Sequence, residues 1–362
     1  MNHTQSTQNY DAILLVSFGG PEGMNDVMPF LENVVRGRNV PRERLESVAE
    51  HYYAVNGVSP INGQNRALIA ALQQELDKLE PKLPIYWGNR NWAPYLTDAV
   101  QQMADDGVQK ALAIFTTAYS SYSSCRQYRE NIAKAQKTVG AKAPDIDKVR
   151  VFYNHPDFIA VNTQLVQDAL RQIPPERRAA AHIAFTAHSI PSGMAANCRY
   201  EDQLQEVSRL VAASLGHQNW QLVYQSRSGP PMVPWLEPDI CDHLETLKKE
   251  GVQDVVVAPI GFLSDHMEVI HDLDTEAYEL AQKLNLTMIR AKTAGIDPTF
   301  VKMLHQLIVE RVTGDTDKPA IGKYGPNHDV CPVDCCLPGQ GRPPRISDKR
   351  RPSLSAKTVS SR

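Results

Sequence analysis

The chain has 362 residues, of which 42% are hydrophobic, and a formal net charge of -3 at pH 7. This length exceeds that of an ordinary single core, so two domains are expected. The small net charge gives no reason to expect a nucleic-acid partner. The polar N-terminus lacks an apolar signal-peptide core, and the longest apolar runs (12–16 and 255–263) are too short to span a bilayer. A cytoplasmic protein without a transmembrane segment is therefore expected.

Strand-like and helix-like patterns alternate through the first half of the chain. Three runs are typical of strands: "AILLVSFGG" (12–20), "LPIYWGNRNW" (83–92) and "GVQKALAIFTTAYSS" (107–121). Between the first two, "RALIAALQQELDKL" (66–79) places leucines on one helical face, at positions 68, 72, 76 and 79. This alternation predicts an α/β fold with a parallel sheet flanked by helices.

The second half of the chain resembles the first. "AHIAFTAHSIP" (181–191), "WQLVYQSRSGPPMVPWL" (220–236) and "GVQDVVVAPIGFLSD" (251–265) parallel the three strand-like runs in the same order. The tripeptide "GVQ" recurs at equivalent places in the two halves. We therefore predict two similar α/β domains that face each other. Because open parallel sheets bind ligands beyond the carboxyl ends of their strands, the active site is predicted in the interdomain cleft.

Composition divides the chain into five predicted segments. Residues 1–10 and 338–362 are polar, and the second of these is rich in proline, serine and arginine, so both are predicted to be disordered tails. The two domains are predicted over 11–156 and 157–316. A cysteine-bearing C-terminal segment is predicted over 317–337. The basic charges of the last tail are interpreted as a solvated surface.

Two side chains with metal-binding and proton-transfer chemistry follow predicted strands of the second domain. His188 ends the run "IAFTA" (183–187), and Glu268 lies just past "VVVAPIGFL" (255–263). A single histidine is more often a structural hydrogen-bonder than a ligand. An imidazole with a carboxylate would nevertheless suit a borderline cation such as Fe2+, and the same pair could relay protons near neutral pH.

Glu268 also begins an acidic series, with Asp272 and Glu276 at four-residue spacing. On a helix these three carboxylates would form one stripe, which costs stability because like charges repel. One interpretation is a solvated helix face. The other is a track that passes a cation toward the cleft, with Glu268 as the terminal ligand and the other two as outer stations.

Two common classes of site lack their signatures. The serines occur without the G-x-S-x-G turn of a nucleophile. The Gly-rich stretch "SFGGPEG" (17–23) lacks both G-x-G-x-x-G and the P-loop lysine, which disfavours nucleotide binding.

The cysteines point to a metal. Without an export signal, disulfides are not expected. Three of the six cysteines lie in "CPVDCC" (331–336), and such clustering in a reducing compartment favours metal or cluster ligation. Four thiolates could hold either an iron–sulfur cluster or zinc. Cys241 lies in a helical pattern and is predicted to be a buried small hydrophobe.

Taken together, "SFGGP", "GVSPINGQN", "TAHSIP", "QSRSGPP" and "GFLSDHMEV" closely resemble the ferrochelatase family, in particular the actinobacterial type that makes coproheme. The resemblance extends over about 11–310. It implies two Rossmann-like domains and insertion of ferrous iron, a substrate, into coproporphyrin III bound in their cleft. Protoporphyrin IX is the alternative substrate. A non-catalytic iron–sulfur or haem-binding protein and a metal-storage or transfer module are the alternative classes.

The resemblance also implies roles for individual residues. His188 and Glu268 match the pair that faces the porphyrin centre, and we expect Glu268 to face His188 across the porphyrin. Ser59 and Tyr128 match porphyrin-contacting residues. Arg36 and Arg38 could pair with propionates. Phe18 occupies a position where some relatives have a tyrosine, and a phenylalanine cannot ligate iron.

A 2Fe-2S cluster is a further implication of the resemblance. Several ferrochelatases hold such a cluster with three C-terminal cysteines and one internal cysteine. Cys331, Cys335 and Cys336 would supply the three, although their C-x3-C-C spacing differs from the vertebrate arrangement. Cys125 is favoured as the internal ligand, and Cys198 is its rival. Oligomeric state is not encoded in these patterns, and a monomer is the default expectation.

Overall fold

Two parallel sheets of four strands organise the computed structural model, which describes residues 9–79, 82–229 and 231–339. The first sheet has the strand order β2-β1-β3-β4. Its strands are Ala12–Ser17 (β1), Ile85–Asn89 (β2), Lys110–Phe115 (β3) and Asp145–Lys148 (β4). The three strand-like runs of the first half contain β1, β2 and β3, so this part of the prediction is confirmed.

The second sheet repeats the first. Its strands are His182–His188 (β5), Trp220–Gln225 (β6), Asp254–Ala258 (β7) and Thr287–Arg290 (β8), in the order β6-β5-β7-β8. Numbered within each domain, both sheets have the order 2-1-3-4, and every pairing is parallel. The predicted internal repeat is therefore confirmed at the level of topology.

Helices connect and cover the strands. Those of the described residues are Val27–Val34 (α1), Arg42–Tyr53 (α2), Ile61–Leu76 (α3), Leu96–Asp105 (α4), Gln127–Val139 (α5), Pro156–Leu170 (α6), Pro175–Arg178 (α7), Ser192–Ala195 (α8), Tyr200–Ser214 (α9), Ile240–Lys249 (α10), Met267–Val269 (α11), Tyr278–Lys283 (α12) and Pro298–Thr313 (α13). Met24–Asp26 is a 3-10 turn, and Tyr122–Arg126 and Ile270–Ala277 are π-helical. Among the described residues, no helix is both long and apolar enough to cross a membrane.

The leucine stripe predicted over 66–79 lies on α3. The helix begins earlier than predicted, at Ile61 directly after Pro60. Leu68, Leu72 and Leu76 are buried in the core. Burial of each such side chain stabilises the fold by about 1.5–3 kcal/mol, so packing of this stripe holds α3 in place.

The two domains share a buried core, and the carboxyl ends of their strands meet. Leu14 of β1 and Phe185 of β5 belong to the same apolar cluster. Beyond β3, the hydroxyl of Tyr119 donates to the carbonyl of Ile260, which follows β7, at 2.9 Å. The strand ends of both sheets thus converge, as predicted for an interdomain cleft.

The predicted tails fall mostly outside the described residues, which exclude 1–8 and 340–362. Tyr10, which the sequence analysis placed in the N-terminal tail, is described and is 4% exposed. Its hydroxyl donates to Asp147 Oδ2 at 2.8 Å. The first domain therefore begins before residue 11.

A buried ion pair ties the last helix to the first domain. Helix α13 packs against α3 and α6. Glu310 on α13 accepts hydrogen bonds from Arg150 Nε at 2.8 Å and from Arg150 Nη2 at 3.0 Å. The two side chains are 0% (Arg150) and 6% (Glu310) exposed. The C-terminal part of the predicted second domain therefore packs on the first domain as well.

Loss of one partner of this pair is expected to destabilise the fold. Glu310→Leu leaves the buried guanidinium of Arg150 without a counter-charge, which should lower the free energy of unfolding by about 3–5 kcal/mol. Chemical denaturation measures this change. In the control, Arg171→Ala removes an exposed pair with Asp168, and the expected loss is below about 1 kcal/mol. Equal losses in the two variants would contradict the role given to the buried pair.

Candidate active site

His188 is fixed at the carboxyl end of β5, the strand between β6 and β7. Its ring Nδ1 contacts the carbonyl oxygen of Ser189. Because a carbonyl oxygen can only accept, Nδ1 carries the proton of this hydrogen bond. The backbone carbonyl of His188 accepts a hydrogen bond from the Tyr200 hydroxyl at 3.1 Å. These contacts leave Nε2 as the reactive nitrogen of the ring.

Glu268 lies in the short helix α11, and neighbouring side chains hold its backbone. Its carbonyl accepts a hydrogen bond from Gln225 Nε2, at the end of β6, at 2.9 Å. Its N–H donates to His266 Nδ1 at 3.2 Å, so His266 caps the helix. The turn after β7 is therefore fixed from both sides, and the carboxylate of Glu268 reaches His188: Oε1 lies 3.3 Å from Nε2.

The contact between these two side chains determines their charge. The side chain of His188 is 30% exposed, and that of Glu268 is 47% exposed. Burial lowers the pKa of His188, but the Glu268 charge and the hydrogen bonds to Glu268 and Ser189 outweigh it and raise that pKa to about 9. Burial raises the pKa of Glu268, but the His188 charge and hydrogen bond outweigh it and lower that pKa to about 2. At neutral pH the pair is an imidazolium and a carboxylate.

One expectation about this pair is wrong. The resemblance implies a position of Glu268 opposite His188, with the porphyrin between them. A separation of 3.3 Å leaves no room for a macrocycle. Because β5 and β7 are neighbours in one sheet, their strand ends present both side chains on the same wall of the cleft.

The acidic series continues onto the π-helical segment Ile270–Ala277. π-helices are rare and often occur at functional sites. Asp272 accepts a hydrogen bond from the hydroxyl of Ser226, whose φ of 63° is unusual for a residue other than glycine. Glu276 Oε1 lies 3.3 Å from His271 Nε2. A helix was predicted here, but its π geometry was not.

Asp272 differs from a residue of a solvated helix face. Burial is the main cause that raises its pKa to about 7. The charges of Glu268 and Glu276 also raise this pKa, whereas the hydrogen bond from Ser226 lowers it. Ligand atoms of His271, Asp272 and Glu276 lie within 4.8 Å of one another, close enough to share a cation. Glu276 itself is 57% exposed. The solvated-face interpretation therefore suits Glu276 better than Asp272.

Two contacts around this segment gave no signal in the sequence. The rings of His51, on α2 of the first domain, and His271 stack with centroids 3.4 Å apart. Arg290, at the end of β8, contacts Asp274 and donates two hydrogen bonds to Asp265, at 3.2 and 3.3 Å. Arg290 thus joins the turn before Glu268 to the π-helical segment after it. Both contacts link residues that are distant in sequence, which local patterns do not report.

The residues predicted to hold porphyrin side groups differ in exposure. Ser59 is buried, and its N–H donates to the carbonyl of Pro21 at 2.9 Å. Ser59 packs closely against Gly20, because a Cβ atom added to Gly20 would lie only 2.6 Å from the Cβ of Ser59. Arg36 and Arg38 follow α1 and are exposed. Their contacts with propionates stay predictions.

Tyr128 and Phe18 are brought together by an arginine that the sequence analysis did not single out. The guanidinium of Arg90 lies 4.6 Å from the ring centroid of Tyr128 and 5.8 Å from that of Phe18. Tyr128 is buried and also packs against Phe115. Arg90 itself donates to Asn131 Oδ1 at 2.7 Å. A cation therefore lies between the two rings at the strand ends of the first domain.

Cys125 and the three C-terminal cysteines come together in space. The thiol of Cys331 lies beside those of Cys125 and Cys335, and the sulfurs of Cys335 and Cys336 are 3.4 Å apart. Cys198, the rival for the internal position, instead donates to the carbonyl of Met194. We call Cys125, Cys331, Cys335 and Cys336 the cysteine group. Four soft thiols close together suit an iron–sulfur cluster or zinc.

Comparison with known proteins identifies the family. The family model named Ferrochelatase matches residues 10–312. The ferrochelatase of Rhodopirellula baltica is 56% identical over 336 residues, which is 92% of this chain and 95% of that protein. The chain belongs to the ferrochelatase family. The resemblance inferred from the five sequence motifs is thereby confirmed.

Other relatives within the ferrochelatase family have more specific names. The coproporphyrin III ferrochelatase of Streptomyces griseus is 48% identical, over 93% of this chain and 96% of that protein. That of Mycolicibacterium smegmatis is also 48% identical, over 87% and 96%. Among solved structures, SirB from Bacillus subtilis with Fe3+ matches with a TM-score of 0.51 and 12% identity, over 84% of this chain and 96% of that one. That likeness shows the fold alone, an arrangement of two Rossmann-like domains.

Proposed function

We propose that this protein inserts Fe2+ into coproporphyrin III to give Fe-coproporphyrin III, in haem biosynthesis. The observation that carries the proposal is the His188–Glu268 pair, 3.3 Å apart at the strand ends of the interdomain cleft. Support for the porphyrin comes from the relatives that are named coproporphyrin III ferrochelatases.

The reaction exchanges two pyrrole protons for one Fe2+, so the site must accept protons and guide a borderline cation. The Glu268 carboxylate is deprotonated at neutral pH and can accept a proton or bind iron. His188 is protonated there, and an imidazolium does neither. Once its proton is lost, Nε2 becomes a ligand or base. Both groups then act on one face of the macrocycle, with the first-domain wall around Tyr128 on the other side.

The choice of porphyrin is tested by comparing two substrates. Coproporphyrin III carries four propionates and protoporphyrin IX carries two, so arginines that pair with propionates, as proposed for Arg36 and Arg38, favour the first. We expect a higher kcat/KM for iron insertion with coproporphyrin III. A higher kcat/KM with protoporphyrin IX would overturn the substrate assignment and leave the enzyme class intact.

Asp272 is proposed as an outer station for iron, with Glu276 beyond it. Asp272→Asn keeps a side chain that can accept the hydrogen bond from Ser226 but removes the charge, and we expect an increase of about tenfold in the apparent KM for Fe2+. The apparent KM for porphyrin should change less. Glu279→Gln, on an exposed carboxylate nearby, should change neither. Unchanged iron kinetics in Asp272→Asn would show that this carboxylate has a structural role and does not bind iron.

The cysteine group is proposed to hold a 2Fe-2S cluster. Its four thiols are neighbours in sequence of contact, from Cys125 through Cys331 and Cys335 to Cys336. Each iron of such a cluster takes two protein ligands, so the donor set fits. When bound, the cluster would cross-link the C-terminal segment to the first domain. Iron and acid-labile sulfide in anaerobically purified protein test this, and a colourless zinc protein would contradict it.

A further inference from the structure

The C-terminal segment 318–339 forms neither helix nor strand but is held by side chains of both domains. Asn154 Nδ2 lies 3.2–3.4 Å from the carbonyl oxygens of residues 321, 324 and 325. Glu206 accepts from the N–H of Lys323 at 2.7 Å. Arg126 Nη1 donates to the carbonyls of Val333 and Cys335 at 2.7 and 2.9 Å. The backbone of this segment is therefore held at several points along its length.

A histidine of this segment lies beside the cysteine group. Ligand atoms of His328, Cys331 and Cys335 all lie within 4.8 Å of one another, and His328 Nε2 is 4.0 Å from Cys335 Sγ. Metal–ligand bonds of 2.0–2.3 Å in a tetrahedral site separate two ligand atoms by about 3.3–3.8 Å. His328 thus needs to move by less than about one ångström to share a metal with Cys335.

The turn that carries His328 is itself fixed. The N–H of His328 donates to the side chain of the preceding residue, Asn327 Oδ1, at 2.8 Å. Asn327 Nδ2 donates to Ser120 Oγ at 3.4 Å. The next residue, Asp329, contacts both Lys318 and Arg311. The imidazole therefore approaches the thiols from an anchored backbone.

Cys336 has the least ordinary backbone of the cysteine group. Its φ of 56° lies in the left-handed region, which residues other than glycine rarely adopt. It directly follows Cys335, and their sulfurs are 3.4 Å apart.

We propose that His328 is an alternative ligand of the metal centre. It can take the place of Cys336, while Cys125, Cys331 and Cys335 remain the other ligands. In such an exchange, Cys336 would be released as a thiolate that takes up a proton from solvent, and the neutral imidazole nitrogen of His328 would supply the fourth ligand. The inference rests on the proposed metal centre but not on which metal occupies it. A 2Fe-2S cluster with an imidazole ligand has a higher reduction potential than one with thiolates alone, so the exchange has a spectroscopic and electrochemical signature.

Metal content of full-length variants tests the exchange. Cys331→Ser should lose the metal, and Cys336→Ser should keep it with an altered visible spectrum and, if the centre is 2Fe-2S, a raised reduction potential. The double variant Cys336→Ser/His328→Ala should fall at least tenfold below Cys336→Ser in metal per chain. Cys241→Ser, a thiol on α10 outside the group, is the matched control and should equal wild type.

Two results would overturn the inference. One is loss of metal in Cys336→Ser alone, to the level of Cys331→Ser. The other is equal metal content in Cys336→Ser and the double variant. Zinc in place of iron and sulfide would overturn the cluster proposal, and the same comparison of zinc content would still test His328. Wild-type protein without metal after anaerobic reconstitution would overturn both.

Discussion

Replacing His188 with alanine, or Glu268 with glutamine, is expected to slow iron insertion by about 10²- to 10⁴-fold, the usual contribution of a positioned acid or base. The two groups are 3.3 Å apart and share one wall of the cleft, so each variant also removes the charge partner of the other. Steady-state kinetics with Fe2+ and coproporphyrin III measure the loss. Porphyrin affinity should stay within a few-fold of wild type, because neither residue is assigned to the propionates.

A matched control separates this effect from general disturbance of the fold. Glu279 is an exposed carboxylate on the following helix and pairs only weakly with Lys283, at 3.9 Å. Glu279→Gln should therefore retain wild-type kcat. Retention of wild-type kcat in His188→Ala would show that the proposed mechanism is wrong.

The second large expected effect is a sharp decrease in the pKa of His188 in the Glu268→Gln variant. In the native pair, that pKa is raised to about 9 from an ordinary value of 6.5 because the carboxylate stabilises the imidazolium. Without the carboxylate charge, burial, which lowers the pKa, regains its influence. His188 should then change from mostly charged to mostly neutral at pH 7 to 8. NMR titration of the ring protons measures this, and the His188→Ala spectrum identifies the signal.

The raised pKa of His188 also determines the direction in which kcat/KM changes with pH. Because an imidazolium neither binds iron nor accepts a proton, kcat/KM should rise with pH as free His188 loses its proton, toward an apparent pKa above 6.5. Glu268 stays ionised down to about pH 2 and contributes no change in the neutral range. A kcat/KM that falls between pH 6 and 9 in the absence of metal precipitation would contradict this assignment, as would an unchanged His188 pKa in Glu268→Gln.

The fold was predictable from the sequence because its signals are local and repeated. Runs of apolar residues mark the buried parallel strands, and the recurrence of the three runs in order predicts two domains of one topology. The rule that parallel sheets bind ligands at strand carboxyl ends then places His188 and Glu268 in the cleft. The leucine stripe of α3 was likewise recognisable because its period is that of a helix.

Other features depend on geometry that residue spacing does not report. The spacing of Glu268, Asp272 and Glu276 predicts a stripe on an α-helix or a π-helix alike. Whether Glu268 lies beside His188 or opposite it depends on the order of β5 and β7 in the sheet, which the sequence analysis did not derive. The Arg290 contacts and the His51–His271 stack join residues from separate elements, and only the folded chain brings them together.

The cysteine group includes both kinds of feature, those that the sequence predicts and those that depend on the folded structure. Clustering of Cys331, Cys335 and Cys336 was visible in the sequence, and Cys125 was preferred over Cys198 through resemblance. The structure places Cys125 with the group and engages Cys198 elsewhere. His328 was not considered, because a histidine three residues before a cysteine has no distinctive pattern. Its proximity to the thiols arises from the irregular path of the C-terminal segment.

One measurement tests the central claim most directly: anaerobic titration of the purified protein with free-base coproporphyrin III, followed by addition of Fe2+. The proposed function predicts a shift of the porphyrin absorption bands on binding. Addition of Fe2+ should then convert the spectrum to that of Fe-coproporphyrin III at a catalytic rate, with no conversion in His188→Ala over the same time. Absence of the initial band shift, or porphyrin binding without iron insertion by the wild-type protein, would contradict it.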